Sequence, residues 1–157
     1  MMKRDFFTFS EYIKRDQKLL TPSMEDYVEM IYRLSGSNGY TRINVLSNAL
    51  NVQPPSVTRM VQKLAEIHLV NYERYGVITL TEKGKLKGSM LLMRHNIIEG
   101  FLKSIGVSKD ILEETEKIEH TIGRETLKCM ASYLSFLKDN PHIEKKFKTY
   151  RESMETK

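Results

Sequence analysis

The chain has 157 residues, 40% of them hydrophobic, with 25 Lys and Arg against 20 Asp and Glu, a net charge of +5 and a pI near 9.2. That length allows one or two small domains, and the apolar share excludes a disordered chain. No apolar run approaches the roughly 18 residues that span a bilayer, the N-terminus lacks the apolar stretch of a signal peptide, and the single Cys129 excludes an internal disulfide or a multi-cysteine zinc site. A cytoplasmic protein without membrane contact is expected.

Residues 1–20 set Phe6, Phe7, Phe9, Tyr12 and Ile13 among charged residues, the pattern of a short amphipathic arm or helix packing on the fold or on a partner subunit. Thr21 then reads as an N-cap and Pro22 as the first residue of a helix, with Tyr27, Met30, Ile31 and Leu34 as its apolar stripe. Asp26 and Glu29 lie off that stripe. Ser35-Gly36-Ser37-Asn38-Gly39 ends the helix. Ile43, Leu46, Ala49 and Leu50 mark a second, short helix, and Asn51-Val52-Gln53 a tight turn. A third helix starts at Pro54-Pro55-Ser56 and turns Val57, Met60, Val61 and Leu64 inward. Two short helices across a tight turn match helix-turn-helix. The outer face of the third helix offers Ser56, Thr58, Arg59, Gln62 and Lys63, residue types that contact phosphates and base edges. The alternative is an ordinary polar helix face.

Leu69-Val70-Asn71-Tyr72 and Val77-Ile78-Thr79-Leu80 predict a hairpin turning at Arg74-Tyr75-Gly76. Three helices and a basic-tipped hairpin make a winged helix-turn-helix. A long helix is predicted from Glu82 to about Ser104, with His95 on the border of its apolar face and Glu99 one turn on, placed to orient it. A buried core histidine is the other reading of His95. Gly106 closes that helix and a fifth follows from Ser108. Gly123 marks a junction before a sixth helix carrying Leu127, Met130, Ala131, Leu134 and Leu137. Asn140-Pro141 breaks it, and a polar helix from His142 closes the chain. The sixth helix carries more apolar surface than one small domain hides, so part of it is expected to pack across a two-fold interface.

Charge is divided. Residues 53–94 hold seven Lys or Arg against three Glu, and residues 109–120 hold two Lys against five acids. A basic segment and an acidic one imply two partners, a polyanion and a cation. In the acidic segment, Glu116, Glu119 and His120 have the three- and four-residue spacing that puts side chains on one helix patch, where carboxylates and imidazole can ligate a divalent metal. A solvated acidic face is the competing reading. Asp26, Glu29 and His95 are further suitable ligands elsewhere, and the chain is expected to bring these segments together around metal.

The ordered stretches Thr21-Pro22-Ser23-Met24-Glu25-Asp26-Tyr27, Pro55-Ser56-Val57-Thr58-Arg59-Met60-Val61-Gln62-Lys63-Leu64, Leu80-Thr81-Glu82-Lys83-Gly84, Arg94-His95, Ile105-Gly106-Val107 and Ile118-Glu119-His120 carry a resemblance. Over roughly residues 21–138 the chain resembles the diphtheria toxin repressor family of metal-dependent transcriptional repressors, in its short, manganese transport regulator branch. The resemblance implies a mainly α fold: a winged helix-turn-helix domain with a two-stranded wing over residues 21–82, an all-helical metal-binding and dimerisation domain with its linker helix over 83–157, and an N-terminal extension over 1–20. It places metal ligands on Asp26, Glu29, His95, Glu116, Glu119 and His120, and DNA contacts on Pro55, Ser56, Thr58, Arg59, Gln62, Lys63 and Arg74. The iron-responsive branch has methionine and cysteine where this chain has Asp26 and Glu116. An all-oxygen and imidazole set suits Mn²⁺, and four carboxylates balance two divalent ions. A homodimeric repressor of metal-uptake genes, binding a palindromic operator when loaded with two Mn²⁺ per subunit, is therefore expected. The longer N-terminus, the paired prolines Pro54-Pro55 and the shifted wing glycine depart from the family pattern, and the SH3-like C-terminal domain of longer members is not expected. Two rivals compete: a ferritin-like dimetal enzyme, which uses Glu-x-x-His on paired helices where this chain has Glu116 and His120 four apart and no second copy, and a winged-helix regulator sensing an organic ligand, which leaves the six ligand types to chance. No enzymatic activity is expected.

Overall fold

The computed structural model describes Thr8 and residues 20–155. Apart from Thr8 and Leu20, the arm expected over residues 1–20 lies outside the described residues. The chain divides into two compact units, one ending at Leu92 and one beginning at Met93.

In the first unit, helix α1 (Pro22–Ser35) begins as its sequence dictates. The Thr21 hydroxyl accepts a hydrogen bond from Met24 N at 3.2 Å, and Pro22 occupies a position whose amide has no helical partner. Tyr27, Val28 and Ile31 are buried, and Gly36 ends the helix at φ 35. Strand β1 (Thr41–Arg42) precedes α2 (Ile43–Leu50), whose C-cap Asn51 is left-handed at φ 53. The Ser47 hydroxyl donates to the Val52 carbonyl at 2.5 Å and fixes the turn into α3 (Pro54–Glu66). Both prolines lie in the first turn of α3, so the paired departure at Pro54-Pro55 costs no helical hydrogen bond. Val57, Val61 and Leu64 of α3 are buried with Leu46 of α2 and with Val28 and Ile31 of α1. The helix ends two residues before His68, which takes φ 59.

The wing consists of β2 (Val70–Tyr72) and β3 (Val77–Leu80), antiparallel in the register Val70↔Leu80 and Tyr72↔Ile78. The expected two-stranded wing is present, and a strand the sequence did not show joins its sheet. β1 pairs with the other edge of β3, Thr41↔Ile78 and Arg42↔Val77, giving a three-stranded sheet in the order β1-β3-β2. Two residues with one buried side chain offer no alternation long enough to read as a strand. Ile78, fully buried, and Leu80 turn the sheet's apolar face into the helical core.

Helix α4 (Glu82–Ser104) starts on Thr81. Its hydroxyl accepts from Gly84 N at 3.0 Å and donates to the His68 carbonyl at 2.8 Å, joining the helix start to the wing. The second unit holds the end of α4 with α5 (Ile111–Glu119), α6 (Arg124–Asp139) and α7 (Pro141–Glu155). Its buried apolar residues are Ile98, Leu102 and Leu137. α5 starts three residues later than expected, because Asp110 at φ 50 turns the chain into it.

Candidate functional site

The second unit gathers four of the expected metal ligands. His95, on α4, and Glu119, the last residue of α5, are almost completely buried, at 3% and 2% exposure. His95 Nδ1 lies 2.8 Å from Glu119 Oε2 and 3.7 Å from Glu116 Oε1. His120 Nε2 lies 3.7 Å from the other Glu119 oxygen. Ligand atoms of Glu116, Glu119 and His120 fall within 4.8 Å of one another. Glu116 and Glu119 share a face because they are three apart on α5. His120, expected inside that helix, is instead its C-cap, at φ −81 and ψ −13. A carboxylate this deeply buried is costly unless a cation or strong donors face it. Two imidazoles and a second carboxylate around it make the donor set of a divalent-metal site, so the residues present fit the ion that the sequence implied.

Glu99 faces His95 from one turn on, as the sequence places it, at ion-pair distance. It stands 3.9 Å from Nε2, beyond hydrogen-bond range, and forms an ion pair with Lys103 at 2.6 Å. Arg94, with no role expected from the sequence, has its Nη2 3.4 Å from His120 Nδ1. A cation directly before a candidate ligand histidine was the available signal. On the outer side of α5, Lys117 pairs with Glu113 at 2.6 Å and Glu114 at 3.3 Å. Hydrogen bonds to those carboxylates hold the Lys117 ammonium above its ordinary pKa, and the bond from Lys117 holds Glu113 below the usual carboxylate value.

In the first unit, Asp26 and Glu29 stand on α1. Asp26 is half-buried and Glu29 buried, with Arg33 Nη2 2.7 Å from its carboxylate.

The candidate nucleic-acid face is also in this unit. Pro55, Arg59, Gln62 and Lys63 are exposed on α3, opposite its buried stripe, while Ser56 and Thr58 are half-buried. Thr58 donates to the Pro54 carbonyl at 3.1 Å, and Arg59 Nη2 reaches Ser56 Oγ at 3.5 Å. Arg74 is exposed at the wing tip.

Residues 19–78 match the family described as iron dependent repressor, N-terminal DNA binding domain, and residues 81–148 match iron dependent repressor, metal binding and dimerisation domain. The HTH-type transcriptional regulator MntR of Oceanobacillus iheyensis is 43% identical over 121 residues, 76% of this chain and 82% of that protein. This chain belongs to the iron-dependent repressor family. The Bacillus subtilis MntR is 38% identical over 138 residues, 87% of this chain and 97% of that protein. Among solved structures, the manganese regulator SloR is similar at 32% identity with a TM-score of 0.64 over 74% of this chain. IdeR of T. acidophilum is similar at 26% identity and the same TM-score over 75%. The match spans 55% of each of those two longer chains. Members of this family are transcriptional regulators, and this one is a metal-responsive DNA-binding regulator that binds divalent metal and has DNA and a second copy of itself as partners. No helix among its described residues is long and apolar enough to cross a membrane.

Proposed function

We propose that this regulator is a manganese-responsive repressor of metal-uptake genes, acting in the cytoplasm, and that Asp26, Glu29, His95, Glu116, Glu119 and His120 hold two Mn²⁺ per subunit. The supporting observation is the buried Glu119 carboxylate, 2.8 Å from His95, with Glu116 and His120 beside it. The donors are oxygen and imidazole with no sulfur, which suits Mn²⁺. A relative solved under the name manganese regulator points the same way. Bound metal supplies the positive charge that offsets the four carboxylates.

The rest follows from where the side chains ride. Asp26 and Glu29 belong to α1, which packs in the core with α3. The other four belong to the second unit. On this reading residues 21–82 form the DNA-binding domain and 83–157 the metal-binding and dimerisation domain, with residues 1–20 an extension. Ligands drawn from both domains make metal loading a condition on the geometry in which a two-fold dimer offers its recognition helices. Those helices must stand about 34 Å apart to enter successive major grooves of a palindromic operator. Pro55, Ser56, Thr58, Arg59, Gln62, Lys63 and Arg74 then make the DNA contacts. Driving such a switch from 1:99 to 99:1 takes about 5.5 kcal/mol of differential binding, within reach of several ligands acting together.

The deciding experiment is operator binding by metal-stripped protein titrated separately with Mn²⁺, Fe²⁺ and Zn²⁺. Mn²⁺ should tighten binding at least tenfold, about 1.4 kcal/mol. Equal affinity with Mn²⁺ and with chelator overturns the reading.

A further inference from the structure

The wing ends on a tyrosine where a glycine would be more comfortable. Tyr75 is 92% exposed, the most exposed of the large hydrophobic residues described. Its backbone is left-handed, at φ 70 and ψ 20, a conformation that a residue with a Cβ adopts at a cost. Gly76 follows at φ 72, so two consecutive residues of the tip are left-handed and only one of them is a glycine. The ring fills no part of the core.

The tip is nevertheless held. Glu73 N donates to the Val77 carbonyl at 3.0 Å and closes the loop. Arg42 Nη1 donates to the Tyr75 carbonyl at 3.2 Å, and its guanidinium lies 5.7 Å from the centre of the Tyr40 ring. Arg42 belongs to β1, which pairs with β3, and it directly precedes α2, the first helix of the helix-turn-helix. The wing tip is therefore tied by one side chain to the frame that carries the recognition helix.

We propose that Tyr75 contacts the DNA backbone, its hydroxyl donating to a phosphate and its ring packing on a deoxyribose, and that Arg42 is the positioning residue that sets it there. This rests on the reading that α3 enters the major groove. The surroundings favour DNA over a protein partner: Arg74 stands exposed beside Tyr75, and Arg42 adds a second positive charge at the same edge. Tyrosine is among the residue types that bind phosphate and sugar. A ring on a pinned backbone has little freedom left to lose on binding.

Mn²⁺-loaded full-length protein tests this, with a duplex selected by the wild type from a random-sequence pool as probe. Tyr75→Gly suits the left-handed backbone, so it should melt no lower than wild type and yet bind about tenfold weaker, the size of one hydrogen bond to a charged group. Tyr75→Phe should fall between the two. Arg42→Ala should weaken binding about as much as Tyr75→Gly, Arg42→Lys should recover part of the loss, and Arg42→Ala combined with Tyr75→Gly should be no weaker than Arg42→Ala alone. Hydroxyl-radical protection of the sugars beside the major-groove contacts should vanish in both single variants. Wild-type affinity for Tyr75→Gly, or losses that multiply in the double variant, overturns the proposal. So does a change in association state with DNA affinity intact, which would mark a protein-binding tip. Lys63→Ala separates the two layers. If it binds normally, the reading of α3 has failed. If it binds weakly while Tyr75→Gly does not, only the wing proposal has failed.

Discussion

Glu119 sits where its charge is most costly, 2% exposed between two histidines. Glu116, one turn earlier on the same helix, has a side chain 42% exposed and is better solvated. Removing the buried carboxylate should therefore matter more. Glu119→Ala is expected to weaken metal-activated operator binding by at least about tenfold, the lower end of what even outer ligands of metal sites are worth. Its helical circular dichroism should match wild type. His142→Ala, outside the constellation, should leave activation untouched. Operator binding against Mn²⁺ concentration measures both, and wild-type activation of the Glu119 variant would remove that residue from the site. The residue types at this centre were legible in the sequence, since E-x-x-E-H spacing puts donors on one patch. Their inequality was not. Residues three apart share a face by helix geometry alone, and tertiary packing decides which of them is enclosed.

Helix boundaries followed local chemistry closely where caps were present. Thr21-Pro22 and Thr81 begin α1 and α4 as their hydroxyls require. The approach of α4 to the wing rests on Gly84, where an added Cβ would lie 1.9 Å from the Leu69 carbonyl oxygen. Backbone cannot yield as a side chain does. Gly84→Ala should cost about 3 kcal/mol, the upper end for overpacking, and lower Tm by about 6–12 °C in a chain this long. Gly123→Ala, with nothing within 4 Å of the new Cβ, is the control, and its change should stay within about 0.5 kcal/mol. Thermal melts that place the two variants together would refute the close approach. On α3, the outward side chain of Lys63 is suited to phosphate. Lys63→Ala should weaken operator and random DNA alike and reduce the salt slope of binding by about one unit. An unchanged slope would mean that Lys63 touches no phosphate.

The second unit leaves a good deal of apolar surface open. Tyr133 and Phe136 of α6 are 37% and 48% exposed, and Tyr150 and Met154 of α7 are 60% and 58% exposed. Leu137, one of the residues expected to reach a partner, is buried within its own unit, so the open face lies towards Tyr133 and Phe136. Surface of this kind on a dimerisation domain should be covered by the second copy whether or not metal is bound. Sedimentation of metal-free protein at micromolar concentration should show a dimer, and Phe136→Asp should shift it towards monomer. A wild-type monomer under those conditions would contradict the assignment of this face.

Element order, the winged helix-turn-helix and the candidate metal-ligand residue types were determined by the sequence alone, because helical periodicity, capping residues and donor chemistry are local properties of a few neighbouring side chains. Three features waited for the tertiary structure. β1 exists only because β3 offers it an edge, and a two-residue strand has no periodicity of its own. Glu119 is distinguished from Glu116 by enclosure, beside His95 of α4, twenty-four residues earlier in the chain. Tyr75 holds its left-handed turn under a hydrogen bond from Arg42, thirty-three residues earlier. Each is a long-range contact, and sequence pattern carries no record of which distant residue will supply it.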